Sequence, residues 1–147
     1  MAMKTEYGRL AFAERGEARD LAVFLRRQLG WDRAAAARLT ADGEVAALFT
    51  RPARFGVVAV RPGRLREPVA PGLDVTVSAG ELLEGIDEAG DAVAVPAPVT
   101  GPAWAGVLPP RGGWRQLAQV PHGELRSAAA EAVGEFRERS ERLAGAE

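Results

Sequence analysis

The most regular hydrophobic pattern in the chain lies between Glu17 and Leu29. Its apolar residues return every three or four positions, namely at Ala18, Leu21, Ala22, Leu25 and Leu29. This spacing is typical of one buried face of an α-helix. Gly30 suits the left-handed residue that follows a helix, and Trp31 is placed for the hydrophobic contact of such a cap. Before this helix, the loose alternation of Tyr7–Phe12 predicts a short strand.

The segment after this helix has two interpretations. Asp42-Gly43 separates Ala36–Thr40 from Glu44–Thr50, and this dipeptide suits the two-residue turn of a β-hairpin. In the competing interpretation, Asp32 caps a second helix that runs through the alanines to Leu39. We favour the hairpin slightly, and both interpretations stay open at this point.

Three further segments have the composition of strands or of a connecting loop. Phe55–Val60, with the sequence FGVVAV, is apolar at successive positions and predicts a strand that is covered on both faces. Arg61–Gly72 contains three prolines and two glycines, which predicts a connecting loop. Leu73–Val77 then predicts another strand, and Ala92–Val95 predicts a last short one.

Two more helices are indicated by their start signals. Ser78 and Glu81 match a capping box, so a short helix with a buried side should follow. That side would consist of Leu82, Leu83 and Ile86. Pro121 can occupy the first turn of a final helix. Its apolar stripe, interrupted by Arg139, would be formed by Leu125, Ala129, Ala132, Phe136 and Leu143. This stripe would pack on the sheet or pair with another chain.

These elements together predict the α+β class. We expect an antiparallel or mixed sheet of about four to six strands, with the N-terminal, short middle and C-terminal helices packed on it. A length of 147 residues is usual for one domain, so residues 1–147 are interpreted as a single domain. A chain of this size can bury a core without disulfides.

Composition and charge exclude several function classes. A formal net charge of -1 gives no overall field that would attract nucleic acid or a membrane. The absence of cysteine excludes thiol catalysis, disulfides and cysteine-based zinc sites. The first residues lack the apolar run of a secretory signal, and no long apolar run follows. We therefore expect a cytoplasmic protein without a membrane partner.

The segment Pro96–Trp114 is unusual for a loop. It contains five of the ten prolines and two of the three tryptophans, with Arg111 as its only charged residue. Loops are normally polar because they face water. This one either covers the open face of the sheet, which we favour because most aromatic residues are buried, or offers Trp104, Arg111 and Trp114 to a partner.

A second candidate surface is a group of five arginines. They are Arg51, Arg54, Arg61, Arg64 and Arg66, with no acidic residue between Glu44 and Glu67. Such a group can bind an anion or nucleic acid. Arginines in loops also keep sheet edges soluble, and that interpretation is favoured here. All but one of the 19 basic residues are arginine, which indicates a genomic bias and weakens any argument from arginine itself.

The residues that usually carry catalysis form no recognisable constellation. His122 is the only histidine, and its place at the start of a helix predicts exposure to solvent. The acidic residues of the middle region do not have the spacing of an EF-hand. They are Glu81, Glu84, Asp87, Glu88 and Asp91. No phosphate-binding glycine motif and no nucleophile elbow occurs. We therefore assign no catalytic, cofactor-binding or metal-binding residue.

Three segments resemble an uncharacterised family of actinobacterial proteins. They are FGVVAV at Phe55–Val60, LDVTVSAGELL at Leu73–Leu83 and PPRGGW at Pro109–Trp114. The resemblance implies no activity or cofactor. Members of that family are longer, so the chain can also be interpreted as the N-terminal part of a longer protein.

The sequence favours a non-enzymatic interaction module that binds a protein partner or a second copy of itself. The first alternative is an anion- or nucleic-acid-binding regulator that uses the Arg51–Arg66 group. The second is an enzyme that acts on a small molecule through a site without a known motif.

Overall fold

The computed structural model describes residues 8–145. Its contacts group into two compact units, Met1–Pro109 and Pro110–Glu147. The prediction of a single domain stays a prediction, because this grouping does not show whether either unit folds alone. Tyr7, at the start of the first predicted strand, lies outside the described residues.

The first unit contains five strands, two α-helices and one 3-10 turn among its described residues. In chain order they are β1 (Arg9–Ala11), α1 (Glu17–Trp31), β2 (Ala36–Thr50), β3 (Ala59–Ser78), α2 (Ala79–Glu84), β4 (Ile86–Asp87), β5 (Ala92–Ala94) and the 3-10 turn Ala103–Gly106. The second unit contains one helix, α3 (His122–Ala144). The α+β class is confirmed. No helix among residues 8–145 has the length and apolar character needed to cross a membrane.

The two longest strands, β2 and β3, form one antiparallel ribbon. The predicted hairpin turn at Asp42-Gly43 is wrong, because β2 runs through this dipeptide. Gly43 has a φ of 57°, and the pairing register shifts on either side of it. The same left-handed backbone that a tight turn requires is used here in a bulge. The alternative helix to Leu39 is also wrong, because Leu39 lies within β2.

The predicted loop Arg61–Gly72 lies within β3, so that prediction is wrong as well. Pro62 is paired opposite Ala47, within the ladder near the tip of the ribbon. Prolines are tolerated in strands that have a free edge, and the two-stranded ribbon provides such edges. The prediction of a strand at Phe55–Val60 is wrong for most of this segment, since β3 begins only at Ala59. Phe55 instead belongs to the connection at the tip of the ribbon.

The three short strands form a second antiparallel sheet in the order β1-β5-β4. An isolated β-bridge between Phe12 and Leu65 joins it to the ribbon. The Ala13 N–H also donates to the Arg64 carbonyl at 2.9 Å. The strands form two sheets, whereas the sequence predicted a single one.

Helix α1 buries the face that its sequence predicts, with Leu25 fully buried and Leu21 nearly so. The predicted end is wrong, because the helix continues through Gly30 to Trp31. The Asp32 N–H donates to the Gln28 carbonyl and closes the last turn. The Asp32 carboxylate then accepts the Ala34 N–H at 2.9 Å, which turns the chain into β2 instead of capping a second helix.

Helix α2 confirms the prediction of a short capped helix. The Ser78 hydroxyl accepts the Glu81 N–H at 3.3 Å, as a helix-capping side chain does. Leu82 is fully buried, and Leu83 packs against the core from its margin. Ile86 packs there too, but it belongs to β4 and not to the helix, so its predicted place on the helix is wrong.

The second unit consists of residues leading into α3 and of α3 itself. Pro121 directly precedes the helix, close to its predicted position. No residue of α3 is buried. The predicted packing of this helix on a sheet therefore stays a prediction.

Candidate functional site

The first half of the Pro96–Trp114 segment lies along β3. The Val99 N–H donates to the Thr76 carbonyl at 2.8 Å, and Ala105 is buried. The Ala105 carbonyl accepts a hydrogen bond from the Arg38 guanidinium. This part of the segment is thus held against the strand by backbone and side-chain contacts.

Arg38 connects the two strands of the ribbon to this segment. Its guanidinium donates two hydrogen bonds of 2.7 Å to the two carboxylate oxygens of Asp74. The hydrogen bond with Asp74 raises the pKa of Arg38 above its usual range. A two-pronged contact of this kind fixes the guanidinium plane, so the third bond, to Ala105, has a defined direction.

The segment positions Trp104 beside a cleft at the tip of the ribbon. The cleft has a volume of about 480 Å³. Its lining comes from the start of β2, the turn between the ribbon strands and the 3-10 turn. The lining residues include Asp32, Arg51, Arg54, Phe55 and Trp104. We call this feature the tip cleft. Arg51, Arg54 and Trp104 therefore lie around one cleft, although the sequence placed the arginines and the tryptophan in separate candidate groups.

An aromatic pair lies next to the tip cleft. The rings of Trp31 and Phe55 meet edge to face, with centroids 6.1 Å apart and an interplanar angle of 63°. The two residues are 55% and 56% exposed. A second hollow, of about 360 Å³, lies between Trp31, Arg54 and Phe55. Large exposed aromatic groups at the rim of a cleft are typical of a binding surface.

The structure divides the predicted group of five arginines. Arg51 and Arg54 line the tip cleft, and neither forms an ion pair with a carboxylate among residues 8–145. Arg61 pairs with Glu17 at 2.9 Å, beside the core. Arg64 and Arg66 are exposed on β3. Of the five arginines, Arg51 and Arg54 are therefore the two that lie together at one site.

Arg54 has a backbone conformation that is costly for a residue with a side chain. Its φ is 70°, in the left-handed region that favours glycine. We expect Arg54→Gly to raise the free energy of unfolding by about 0.5–1 kcal/mol, because the left-handed cost exceeds the entropic penalty of glycine. Urea unfolding followed by circular dichroism measures this change. Arg51→Gly is the control. Equal changes in the free energy of unfolding of the two variants would show that the backbone at Arg54 is not strained.

The last five residues of the Pro96–Trp114 segment, from Pro110 onward, belong to the second unit. Trp114 is 72% exposed, and its indole N–H donates to the Pro110 carbonyl at 2.6 Å. Arg111 is exposed as well. Trp104 belongs to the first unit and Trp114 to the second, so the candidate trio Trp104, Arg111 and Trp114 is divided between the two units.

The apolar stripe of α3 is the main feature of the second unit. Its large members, Leu125, Phe136 and Leu143, are 63%, 72% and 74% exposed. Successive positions in the stripe are four, three, four and seven residues apart, and Arg139 divides the last interval into three and four. This alternation of four and three is the spacing of a helix that packs against another helix.

The remaining candidates for chemistry are dispersed. His122 is exposed at the first turn of α3. Asp87 pairs with Arg9, and the Asp91 carboxylate accepts the Gly16 N–H at 2.9 Å. No group of three or more histidine, cysteine or acidic side chains within residues 8–145 is placed to hold a metal ion.

Sequence reasoning missed two residues that line the tip cleft, Asp32 and Phe55, and one that lies beside it, Trp31. Asp32 was interpreted as a helix cap, Trp31 as a cap contact and Phe55 as part of a strand. The available signal was the closeness of Phe55 to Arg51 and Arg54 in a loop rich in proline and glycine.

Comparisons with known proteins place the chain in families without an assigned activity. No curated protein and no solved structure matches it. A model of a domain of unknown function, DUF8185, matches residues 109–147. A second model, also of a domain of unknown function, DUF8010, matches residues 5–106, which is more than half of the chain. The expected resemblance to an uncharacterised family is therefore confirmed, and the chain belongs to the DUF8010 family.

Proposed function

We propose that this protein is a non-enzymatic self-association module in which α3 pairs with α3 of a second copy. The observation that carries the proposal is the exposed apolar stripe with its alternating spacing of four and three residues. Burying a large apolar side chain is worth about 1.5–3 kcal/mol. The three large residues of the stripe therefore provide a substantial driving force for association.

The composition of the stripe favours pairing with a second copy in which the two α3 helices run antiparallel. In one antiparallel register, Phe136 faces Ala132 of the second helix, so a large side chain meets a small one. The same register places Leu125 opposite Leu143. A parallel pair would instead place Arg139 opposite its own copy, and facing like charges are destabilising. Self-complementarity about a two-fold axis is the usual requirement for a homodimer.

The direct test compares two glutamate substitutions in α3. Ala132→Glu places a charge in the stripe, whereas Ala130→Glu places the same residue on the opposite side of the helix. We expect the unchanged protein and Ala130→Glu to approach twice the monomer mass of 15.6 kDa as concentration rises. Ala132→Glu should stay monomeric, because association would bury its charge without a partner. Sedimentation velocity over a concentration series measures the mass.

Cysteine cross-linking tests the direction of the pair, and the natural sequence contributes no cysteine to the background. An equimolar mixture of Leu125→Cys and Leu143→Cys should form the mixed disulfide dimer in preference to either symmetric one. Preference for the symmetric dimers would contradict the antiparallel register. A monomeric mass for the unchanged protein at every concentration would overturn the proposed self-association itself.

Anion binding is the second candidate function. It is favoured by the meeting of Arg51 and Arg54 with Trp104 at the tip cleft. The other members of the arginine group lie outside this cleft, which favours a compact ligand over a nucleic-acid strand.

A further inference from the structure

We infer that the tip cleft binds a small ligand that combines a planar ring with a carboxylate or phosphate group. This inference rests on the second candidate function, anion binding at the tip cleft, and is independent of self-association through α3. The cleft volume of about 480 Å³ lies within the range of small-molecule sites. Its lining supplies two cationic groups and two aromatic ones.

The cationic side of the cleft is formed by Arg51 and Arg54. Among the described residues of the first unit, Arg9, Arg26, Arg38 and Arg61 pair with a carboxylate, whereas the other arginines do not. The two cleft arginines lack such a partner among residues 8–145. Arg51 and Arg54 differ from the other unpaired arginines in lining one cleft together with Phe55 and Trp104. A guanidinium without a protein partner can bind a carboxylate or phosphate through two parallel hydrogen bonds.

The aromatic side of the cleft explains why the ligand should carry a ring. Phe55 and Trp104 both line the space. A planar ring gains stacking energy and buried area on such surfaces. Inorganic phosphate would use the arginines alone, so it should bind more weakly than a ligand that satisfies both sides.

Negative groups at the cleft set the orientation of the ligand. Asp32 is a lining residue of the cleft, and its carboxylate accepts the Ala34 N–H at 2.9 Å. Asp32 also directly follows the carboxyl end of α1, which carries a partial negative charge. The anionic group should therefore lie on the Arg51 and Arg54 side, with its ring directed toward Trp104.

The binding test uses the full chain with Trp104 as its only tryptophan. Trp31→Phe and Trp114→Phe provide this background while keeping aromatic rings at both positions. Four probes are titrated against the Trp104 fluorescence: inorganic phosphate, adenosine, adenosine monophosphate and 2-naphthoate. We expect adenosine monophosphate, 2-naphthoate or both to bind at least about tenfold more tightly than phosphate or adenosine. The better of these two probes identifies the anionic group.

Three substitutions in the same background locate the site. Arg51→Gln and Arg54→Gln should each weaken binding of the preferred probe by about tenfold, because a charge-assisted hydrogen bond is lost. Arg64→Gln removes an exposed arginine outside the cleft and should leave binding unchanged. Asp32→Asn should tighten binding, because a repelling charge is removed. Circular dichroism confirms that each variant is folded.

Two sets of results would overturn the inference. In the first, none of the four probes binds, or Arg51→Gln, Arg54→Gln and Arg64→Gln lower the affinity for the preferred probe equally. The other is tighter binding of a single-stranded oligonucleotide than of adenosine monophosphate, with equal sensitivity to all three arginines. That second result would indicate an extended nucleic-acid surface along β3.

Discussion

Replacing Leu25 with alanine should destabilise the first unit by about 2–5 kcal/mol, the usual cost of removing a buried leucine side chain. Leu25 is fully buried on the inner face of α1 and belongs to the core cluster. The loss combines the transfer of apolar groups to water with the cavity that remains. Since small domains are stable by about 5–15 kcal/mol in total, the change is a large fraction of the stability.

Val23 provides the matched control because it lies on the same helix and is 43% exposed. Val23→Ala should change the free energy of unfolding by about 0.5 kcal/mol or less. Urea unfolding measures both variants, and a shift in midpoint without a change in slope isolates the stability effect. Leu25→Val serves as a milder substitution if the alanine variant does not fold. Equal effects at Leu25 and Val23 would contradict the assigned inner face of α1.

Helices α1 and α2 were predictable because their signals are local. The stripe that contains Leu21 and Leu25 specifies a helix and its buried face within four turns of chain. Ser78 and Glu81 likewise lie three residues apart and interact directly. Such signals need no knowledge of the rest of the fold.

The ribbon was not predictable from its local signals. Gly43 supplies the left-handed backbone that both a tight turn and a bulge require, so the dipeptide Asp42-Gly43 does not decide between them. The decision comes from pairing of β2 with residues of β3 far along the chain. Pro62 and its neighbouring glycine are typical of a loop, but a strand with a free edge accepts them. Long-range pairing has overridden the local preference here.

The tip cleft was predictable in its components but not as one site. Arg51, Arg54 and Trp104 were all selected as candidates, on the separate grounds of charge and of an aromatic segment. About fifty residues separate the arginines from Trp104. Their meeting requires both the 3-10 turn and the Arg51–Phe55 turn to lie near the start of β2, although that turn and the start of β2 are at opposite ends of the β2–β3 ladder. Spacing along the sequence carries no information about such contacts.

Gly101 is the residue at which the contacts of the chain after Pro96 should be most sensitive to substitution. A Cβ added at this position would lie 2.5 Å from Thr76 Cγ2 and 3.3 Å from the Ala105 Cβ. Thr76 is β-branched and lies within β3, so its side chain has little freedom to move away. We expect Gly101→Ala to cost about 1–3 kcal/mol through overpacking, or to detach the segment around it from the strand.

The detachment can be separated from a general loss of stability. Gly106→Ala is the matched control, because no atom lies within 4 Å of its added Cβ and it belongs to the same segment. With Trp104 as the only tryptophan, Gly101→Ala should shift its emission to longer wavelength and increase its access to acrylamide, while Gly106→Ala should do neither. The same substitution should weaken ligand binding at the tip cleft, since Trp104 would no longer line it. An unchanged Trp104 environment in a folded Gly101→Ala protein would contradict the close packing of this segment on β3. It would also contradict the idea that this packing places Trp104 at the tip cleft.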